Sequence, residues 1–223
     1  MTFITPTVQS PTIWSEIIMK KTFSRISEEK RSRIIESSIE EFAECGYEKG
    51  SLDRIIKKSG ISKGGLYEYI SSKEELFLFV ADHAYNLLYD HIIREIGEHT
   101  RLPADLLERF HLVATKAIDF YLANPIQIKL IIMTAHIIDE DVSSKVREIF
   151  FTRFRGIFGD AERSQLAYNY DSLLNLMEWL LLKTRNHFLR VFMSGRSADE
   201  VRNEYMAEWD FIVSVLRGGI YKK

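Results

Sequence analysis

Cysteine is nearly missing from this chain: Cys45 is the only one in 223 residues. A single thiol cannot close an internal disulfide, and such a chain suits a reducing compartment. A cytoplasmic location is therefore expected, with Cys45 as ordinary filler at a helix end. Proline is also scarce, at four, and glycine numbers eleven. So few breakers leave little room for turns and point to long helices. No apolar run approaches the roughly 18 residues of a membrane-spanning helix. The N-terminus lacks the charged-then-apolar order of a secretory signal. Period-two alternation, internal repeats and low-complexity tracts are missing too, which argues against sheets and solenoids. The six histidines include no i, i+4 pair suited to a metal. No nucleophile and base stand out as a set. The sequence therefore predicts no metal, no cofactor and no enzyme.

What the chain has is apolar content, 46%, enough for one large core or two small ones. Its net charge is −2, against wholesale nucleic-acid binding, but the charge is unevenly spread. Residues 19–73 carry 12 Lys and Arg against 9 Asp and Glu, and residues 74–223 carry 18 against 22. A mildly basic head on an acidic body suggests one anionic partner bound at one end.

Residues 1–18 hold two of the four prolines and no helical period, so a loose arm reaching to about residue 27 is expected. "MKKTFSRISEEKR", from Met19, reads like a bacterial start, which leaves open whether residues 1–18 belong to the natural protein. Ser27 then caps a helix to about Cys45, with Ile34, Ile35, Ile39, Phe42 and Ala43 as its stripe and Gly46 as its stop. Ser51 caps a second, Leu52 to Ser59, and Ser62 a third, Lys63 to about Ile70. Ser72 with Glu75 forms a capping box that opens a long fourth helix to about Ile96. Five more are expected. Pro103 opens one to Ala123, Asn124-Pro125 one to His136, and Asp139 or Asp141 the next. Asp171 caps a very apolar helix to Met193. Ser197 with Glu200 opens the last, which ends near Arg217 at Gly218-Gly219.

Residues 31–77 have the layout of a helix-turn-helix, two short helices meeting at "SGIS". The second helix of such a unit enters the major groove by its N-terminal end. Ser62 and Lys63 sit at that end, where N–H groups attract phosphate. Gly64 and Gly65 are poor helix formers, and their missing side chains allow close approach to a duplex. Tyr67 and Tyr69 offer hydroxyls, Lys73 a charge, and Ser51 a second cap, while Leu66 and Ile70 point inward. Taken singly, each is an ordinary cap, solvated charge or half-buried ring; their convergence on one turn is the signal.

The stretch from Arg31 to Phe77 resembles the TetR-type transcriptional regulators. The likeness rests on "IIESSIEEF", Gly46-Tyr47, "SLDRIIKKSGIS" and above all "KGGLYEYISSKEELF". It implies an all-α fold. Residues 28–73 would form a three-helix helix-turn-helix DNA-binding domain, joined by a long helix to a helical effector-binding and dimerisation domain, 74–223. It implies DNA contacts from Ser51, Ser62, Lys63, Gly64, Gly65, Tyr67, Tyr69 and Lys73. The chain departs from the family at Ile56 (usually alanine), Gly50 (often threonine) and Ile70 (usually phenylalanine). Gly50 puts one phosphate contact in doubt. Glu68 either accepts from a cytosine amino group or points at water.

Implied partners are double-stranded operator DNA, a second copy of the chain, and an unidentified small effector. The last two long helices would form the homodimer interface through Leu173, Leu176, Met177, Leu180, Leu181, Trp209, Ile212, Val213 and Leu216. Tyr121, His136, Asn175, Trp179 and Arg185 are the candidate pocket residues. The expected function is a ligand-responsive repressor that releases a pseudo-palindromic operator. The alternatives are a helical-bundle enzyme or adaptor with a vestigial helix-turn-helix, and a DNA-binding regulator with no effector.

Overall fold

The structure, a computed structural model, describes residues 19, 21–97, 101–159 and 161–220. The arm expected at residues 1–18 lies outside them. One turn of 3-10 helix, Phe23–Arg25, precedes nine α-helices among the described residues. These are α1 (Glu28–Lys49), α2 (Leu52–Ser59), α3 (Lys63–Tyr67), α4 (Lys73–Ile96), α5 (Leu106–Ala123), α6 (Pro125–Thr134), α7 (Glu140–Phe158), α8 (Tyr170–Met193) and α9 (Ala198–Ile220). No strand occurs among the described residues, and the chain is all-α.

Local chemistry sets most helix starts. The side chains of Ser27 and Ser62 accept from the N–H groups of Lys30 and Gly65, each satisfying an orphan donor of the first turn. Ser197 and Glu200 bond reciprocally, as a capping box requires. At α4 the box is displaced: Ser72 accepts from Glu75 N–H, but the Glu75 carboxylate reaches back to Ser71 N–H.

Several boundaries differ from the sequence expectation. Asp105, not Pro103, caps α5, accepting from Glu108 N–H. Asn169, not Asp171, caps α8; Asp171 instead lies in the first turn, where its charge suits the helix dipole. α1 does break at Gly46, then takes one more turn to Lys49. α3 stops at Tyr67, and α6 at Thr134. α9 continues through Gly218-Gly219 to Ile220. There Ile220 is 4% exposed and its carbonyl accepts from Ala167 N–H at 2.8 Å, an anchor that offsets the roughly 1 kcal/mol cost of each glycine.

Packing divides the chain into two compact units. The first holds the described residues up to 87 together with 126–153. Its centre is Ile34, Phe42, Ile55, Leu66, Ile70, Leu76 and Phe77, all fully buried. Each such side chain contributes about 1.5–3 kcal/mol on burial, and Phe42 meets Phe77 edge to face at 5.1 Å. Polar bonds tie the chain-distant parts together. Arg153 grips both carboxylate oxygens of Asp82 at 3.0 Å, the two side chains being 13% and 3% exposed. Tyr85 and Thr134 share a buried hydrogen bond of 3.0 Å. Lys145 pairs with Glu74 at 2.7 Å, and Glu48 accepts from Ile138 N–H at 2.7 Å.

Within the same unit, Glu41 joins α1 to α2. Its Oε1 accepts from Ser51 N–H at 2.8 Å and from the Arg54 guanidinium at 2.6 Å. The guanidinium holds the Glu41 carboxyl below the usual carboxylate range, against the upward push of burial.

The second unit holds residues 88–125 and 154–220, where described. Phe110 stacks on Phe158 at 4.2 Å. Arg109, 3% exposed, donates to the Pro103 and Ile157 carbonyls. Tyr205 and Trp209 of α9 are completely buried.

Asp82→Asn should cost about 3 kcal/mol in urea unfolding, because it leaves the Arg153 charge buried against a neutral amide. Glu41→Gln should lower stability at pH 7. The depressed pKa means that the Glu41 contribution is fully present above the unfolded value of about 4.3 and is lost as pH falls through the folded value. The gap between wild type and Glu41→Gln in thermal melts should therefore close below about pH 4.

Candidate nucleic-acid interface

The helix-turn-helix is built around one left-handed residue. Gly60 closes α2 with φ +69° and ψ +24°, its N–H bonding to the Ile56 carbonyl. That region is open to glycine and strained for other residues. Ile61 follows, and Ser62 turns the chain into α3. Beneath, Leu66 and Ile70 are fully buried, so the two inward pegs stand where the sequence puts them. What α3 turns outward is therefore fixed by its inner side.

Ser62, Lys63 and Gly64 are exposed, and Gly65 is half-buried. The two glycines differ in their surroundings. A Cβ on Gly65 would come within 3.0 Å of the capping Ser62 Oγ, a tight contact that the cap would have to shift to relieve. A Cβ on Gly64 would meet no atom within 4 Å. Nothing in the fold asks for glycine there. Lys63 lies 3.4 Å from Asp53, with both side chains more than two-thirds exposed, a loose pair of little consequence. Tyr67 is 41% exposed.

The remaining expected contacts are more engaged. Ser51 is half-buried and makes no side-chain cap bond; its N–H serves Glu41 instead. Lys73 donates to the Glu48 carbonyl at 3.1 Å and lies 4.7 Å above the Tyr47 ring. Tyr69 departs from expectation. Its ring is 5% exposed, next to Phe23, and its hydroxyl accepts from Lys30 at 2.9 Å. A hydroxyl offered freely to a phosphate is thus corrected to one held by Lys30, because the ring is part of the core. Glu68 is exposed. Gly50 also gains a local reason: a Cβ there would sit 2.5 Å from Phe42 Cδ1, so the Phe42 ring takes the space that a threonine would need.

The five candidate pocket residues do not converge. Tyr121 and Arg185 do meet, both buried, with the guanidinium 5.2 Å from the ring centroid. Asn175 is exposed, Trp179 is 63% exposed, and His136 is an exposed residue of the first unit. Tyr205, which sequence reading missed, belongs with the buried pair: it meets Tyr121 edge to face at 6.0 Å and Phe188 at 5.1 Å. Its phenol is pushed well above the usual range by burial, while the charge of Arg185 pulls the other way. Its i, i+4 spacing from Trp209 was the available signal.

Of the nine candidate interface residues, Leu173, Met177, Leu181 and Trp209 are buried within this one chain. They contribute to the core of their own chain. Leu176 lies outward, and Leu180, Ile212, Val213 and Leu216 are half-buried. The run "LLNLMEWLLL" in α8 is apolar nearly all round, so filling the core leaves other apolar side chains outward. Trp179 of α8 is 63% exposed, and Phe211 and Val215 of α9 are 62% and 58% exposed.

Comparison with known proteins agrees with this geometry. Residues 34–80 match the family described as bacterial regulatory proteins, tetR family. The chain is 25% identical over 120 residues to the transcriptional activator FasR of Mycolicibacterium smegmatis, covering 54% of this chain and 53% of FasR. It is 33% identical over 64 residues to IcaR, a negative transcriptional regulator of a biofilm operon in Staphylococcus epidermidis, covering 29% of this chain and 35% of IcaR. These matches thus span about half or less of the curated relatives. A TetR family regulator from Chloroflexus aurantiacus shares the fold with a TM-score of 0.62 at 20% identity, covering 92% of this chain and 99% of that one. FadR from Bacillus subtilis, solved with stearoyl-CoA, does so with 0.59 at 16%, covering 80% and 96%. The helix-turn-helix head, residues 34–80, is thus similar to the tetR family of bacterial regulatory proteins.

Proposed function

We propose that this chain is a homodimeric, ligand-responsive DNA-binding repressor. Residues 28–73 serve as the DNA-binding part and 74–223 as the effector-binding and dimerisation part. The observation that carries the reading is Gly64: an exposed helical glycine with open space where its side chain would be. Such a position costs about 1 kcal/mol of helix stability relative to alanine. The close approach of an outside partner is what the missing side chain permits. Ser62, Lys63 and Tyr67 surround that opening as donors, with Gly65 beside it and Ser51 and Lys73 at neighbouring helix starts. Most of these fix position on phosphates, and base choice falls to atoms at the α3 N-terminus.

Two copies would dock their α3 helices in successive major grooves of a pseudo-palindromic operator, about one helical turn apart. Pairing through the outward apolar side of α8 and α9, at Leu176, Trp179, Phe211 and Val215, would cover large side chains that otherwise face water. An effector held in the body near Tyr121, Arg185 and Tyr205 would shift the population of head spacings along α4, and DNA affinity would fall by its differential affinity for the two states. The fold supports a small-molecule effector, since FadR holds stearoyl-CoA in it. The names of the relatives include both an activator and a negative regulator. Repression is the simpler outcome of a dimer that occupies a promoter until an effector releases it.

Gly64→Ala separates fold from function. It should leave the melting temperature unchanged or raised, while affinity for a duplex enriched from a random library falls by at least about tenfold, a change of 1.4 kcal/mol. Unchanged affinity would remove the close-approach reading. Trp179→Glu combined with Phe211→Glu should shift sedimentation at micromolar concentration from dimer to monomer with helicity retained. A dimer that survives both changes would place the interface elsewhere.

A further inference from the structure

We infer that the turn ahead of α1 is a second DNA-contacting element, in which Lys21 and Arg25 bind backbone phosphates flanking the base pairs that α3 reads. This rests on the DNA-binding function proposed above and extends it to residues outside the matched family domain, which begins at residue 34. The segment is anchored to the end of α3. Thr22 Oγ1 donates to the Glu68 carbonyl at 2.6 Å. Phe23, 4% exposed, packs between Tyr69 at 5.9 Å and Phe79 at 5.4 Å. Lys30, a turn into α1, bonds the Tyr69 hydroxyl. Residues on both sides of the 3-10 turn are thus held against the two residues that follow α3.

Lys21 and Arg25 of this anchored segment face outward. Between Met19 and Arg33 the chain has six basic residues and two acidic ones. Lys21 and Arg25 are exposed, and neither forms an ion pair among the described residues. The acidic groups nearby, Glu28 and Glu29 in the first turn of α1 and Glu68 after α3, are exposed as well. They repel phosphate, which confines the favourable contact to the 21–25 side. Because Thr22 and Phe23 already hold the backbone, little ordering entropy remains to be lost when the two cations meet an anion. An anion displayed at a fixed offset from a recognition helix in a groove is the phosphate backbone of the same duplex.

The test uses the full chain and a duplex enriched from a random library by the wild type. The duplex is made in a short form, ending at the outer edges of the two half-sites, and in a form longer by roughly one helical turn at each end. Anisotropy titrations between about 50 and 200 mM KCl give affinity and its salt slope. On the long duplex, Lys21→Ala with Arg25→Ala should lose at least about tenfold in affinity, and the salt slope should fall by about 1.8 for each protomer, two phosphates at 0.9 each. On the short duplex wild type and double variant should bind alike. Lys21→Arg with Arg25→Lys should keep the long-duplex affinity. Arg101→Ala with Arg155→Ala, which removes the same charge from exposed sites in the second unit, should change neither duplex. Equal affinity and slope for wild type and the Lys21, Arg25 double variant on the long duplex would overturn the inference, as would an equal loss on both lengths. A wild type that enriches no duplex would instead overturn the DNA-binding function itself.

Discussion

Gly60 turns the chain between α2 and α3 in the left-handed region, and Ser62 then caps α3 two residues later. The direction of α3 follows from those two residues and from the fully buried Leu66 and Ile70 beneath it. A five-residue helix has too few internal hydrogen bonds to hold itself; tertiary contacts hold it. The rest of the head serves the same end. Glu41 fixes the start of α2 through Ser51 and Arg54, the Phe42 and Phe77 rings fill the centre, and Thr22 and Phe23 brace the residues after α3. With so much anchoring, α3 can present two adjacent glycines without unravelling. The helix propensity sacrificed at Gly64 returns as accessible backbone.

The second unit faces a different constraint. Its long helices carry apolar residues on more than one side, and a single core cannot cover them all. Leu173, Met177, Leu181 and Trp209 go inward, while Trp179, Phe211 and Val215 remain outward. The buried polar atoms are equally informative. The Trp209 indole N–H and the Tyr205 hydroxyl have no well-formed hydrogen bond among the described residues, and Arg185 lies close by over Tyr121. Buried donors and a cation in a mostly aromatic setting carry a desolvation cost that the rest of the core offsets.

Local rules were legible in the sequence. The caps at Ser27, Ser62 and Ser197, the break at Gly46 and the turn at Gly60 all depend on residues within four positions of one another, and they fold as their chemistry dictates. Asp105 and Asn169 cap where Pro103 and Asp171 are expected, since several residues in one turn can start a helix and packing chooses among them. Long-range pairing was not legible. Asp82 and Arg153 lie 71 residues apart, and nothing in either neighbourhood names the other. The same holds for Tyr69, whose burial depends on Phe23 and Lys30, and for the pocket set, where two of five residues met. A helical stripe says which residues share a side, but for helices apolar all round it does not say which side faces inward.

The proposed function makes the head a reader of duplex sequence, displayed in pairs. Hydroxyl-radical footprinting of the full chain on a duplex enriched from a random library tests this most directly. Two protected patches related by two-fold symmetry, with centres about 34–36 Å apart along the duplex, are the expected result. A chain that enriches no sequence over non-specific duplex, or that protects a single patch, would contradict it.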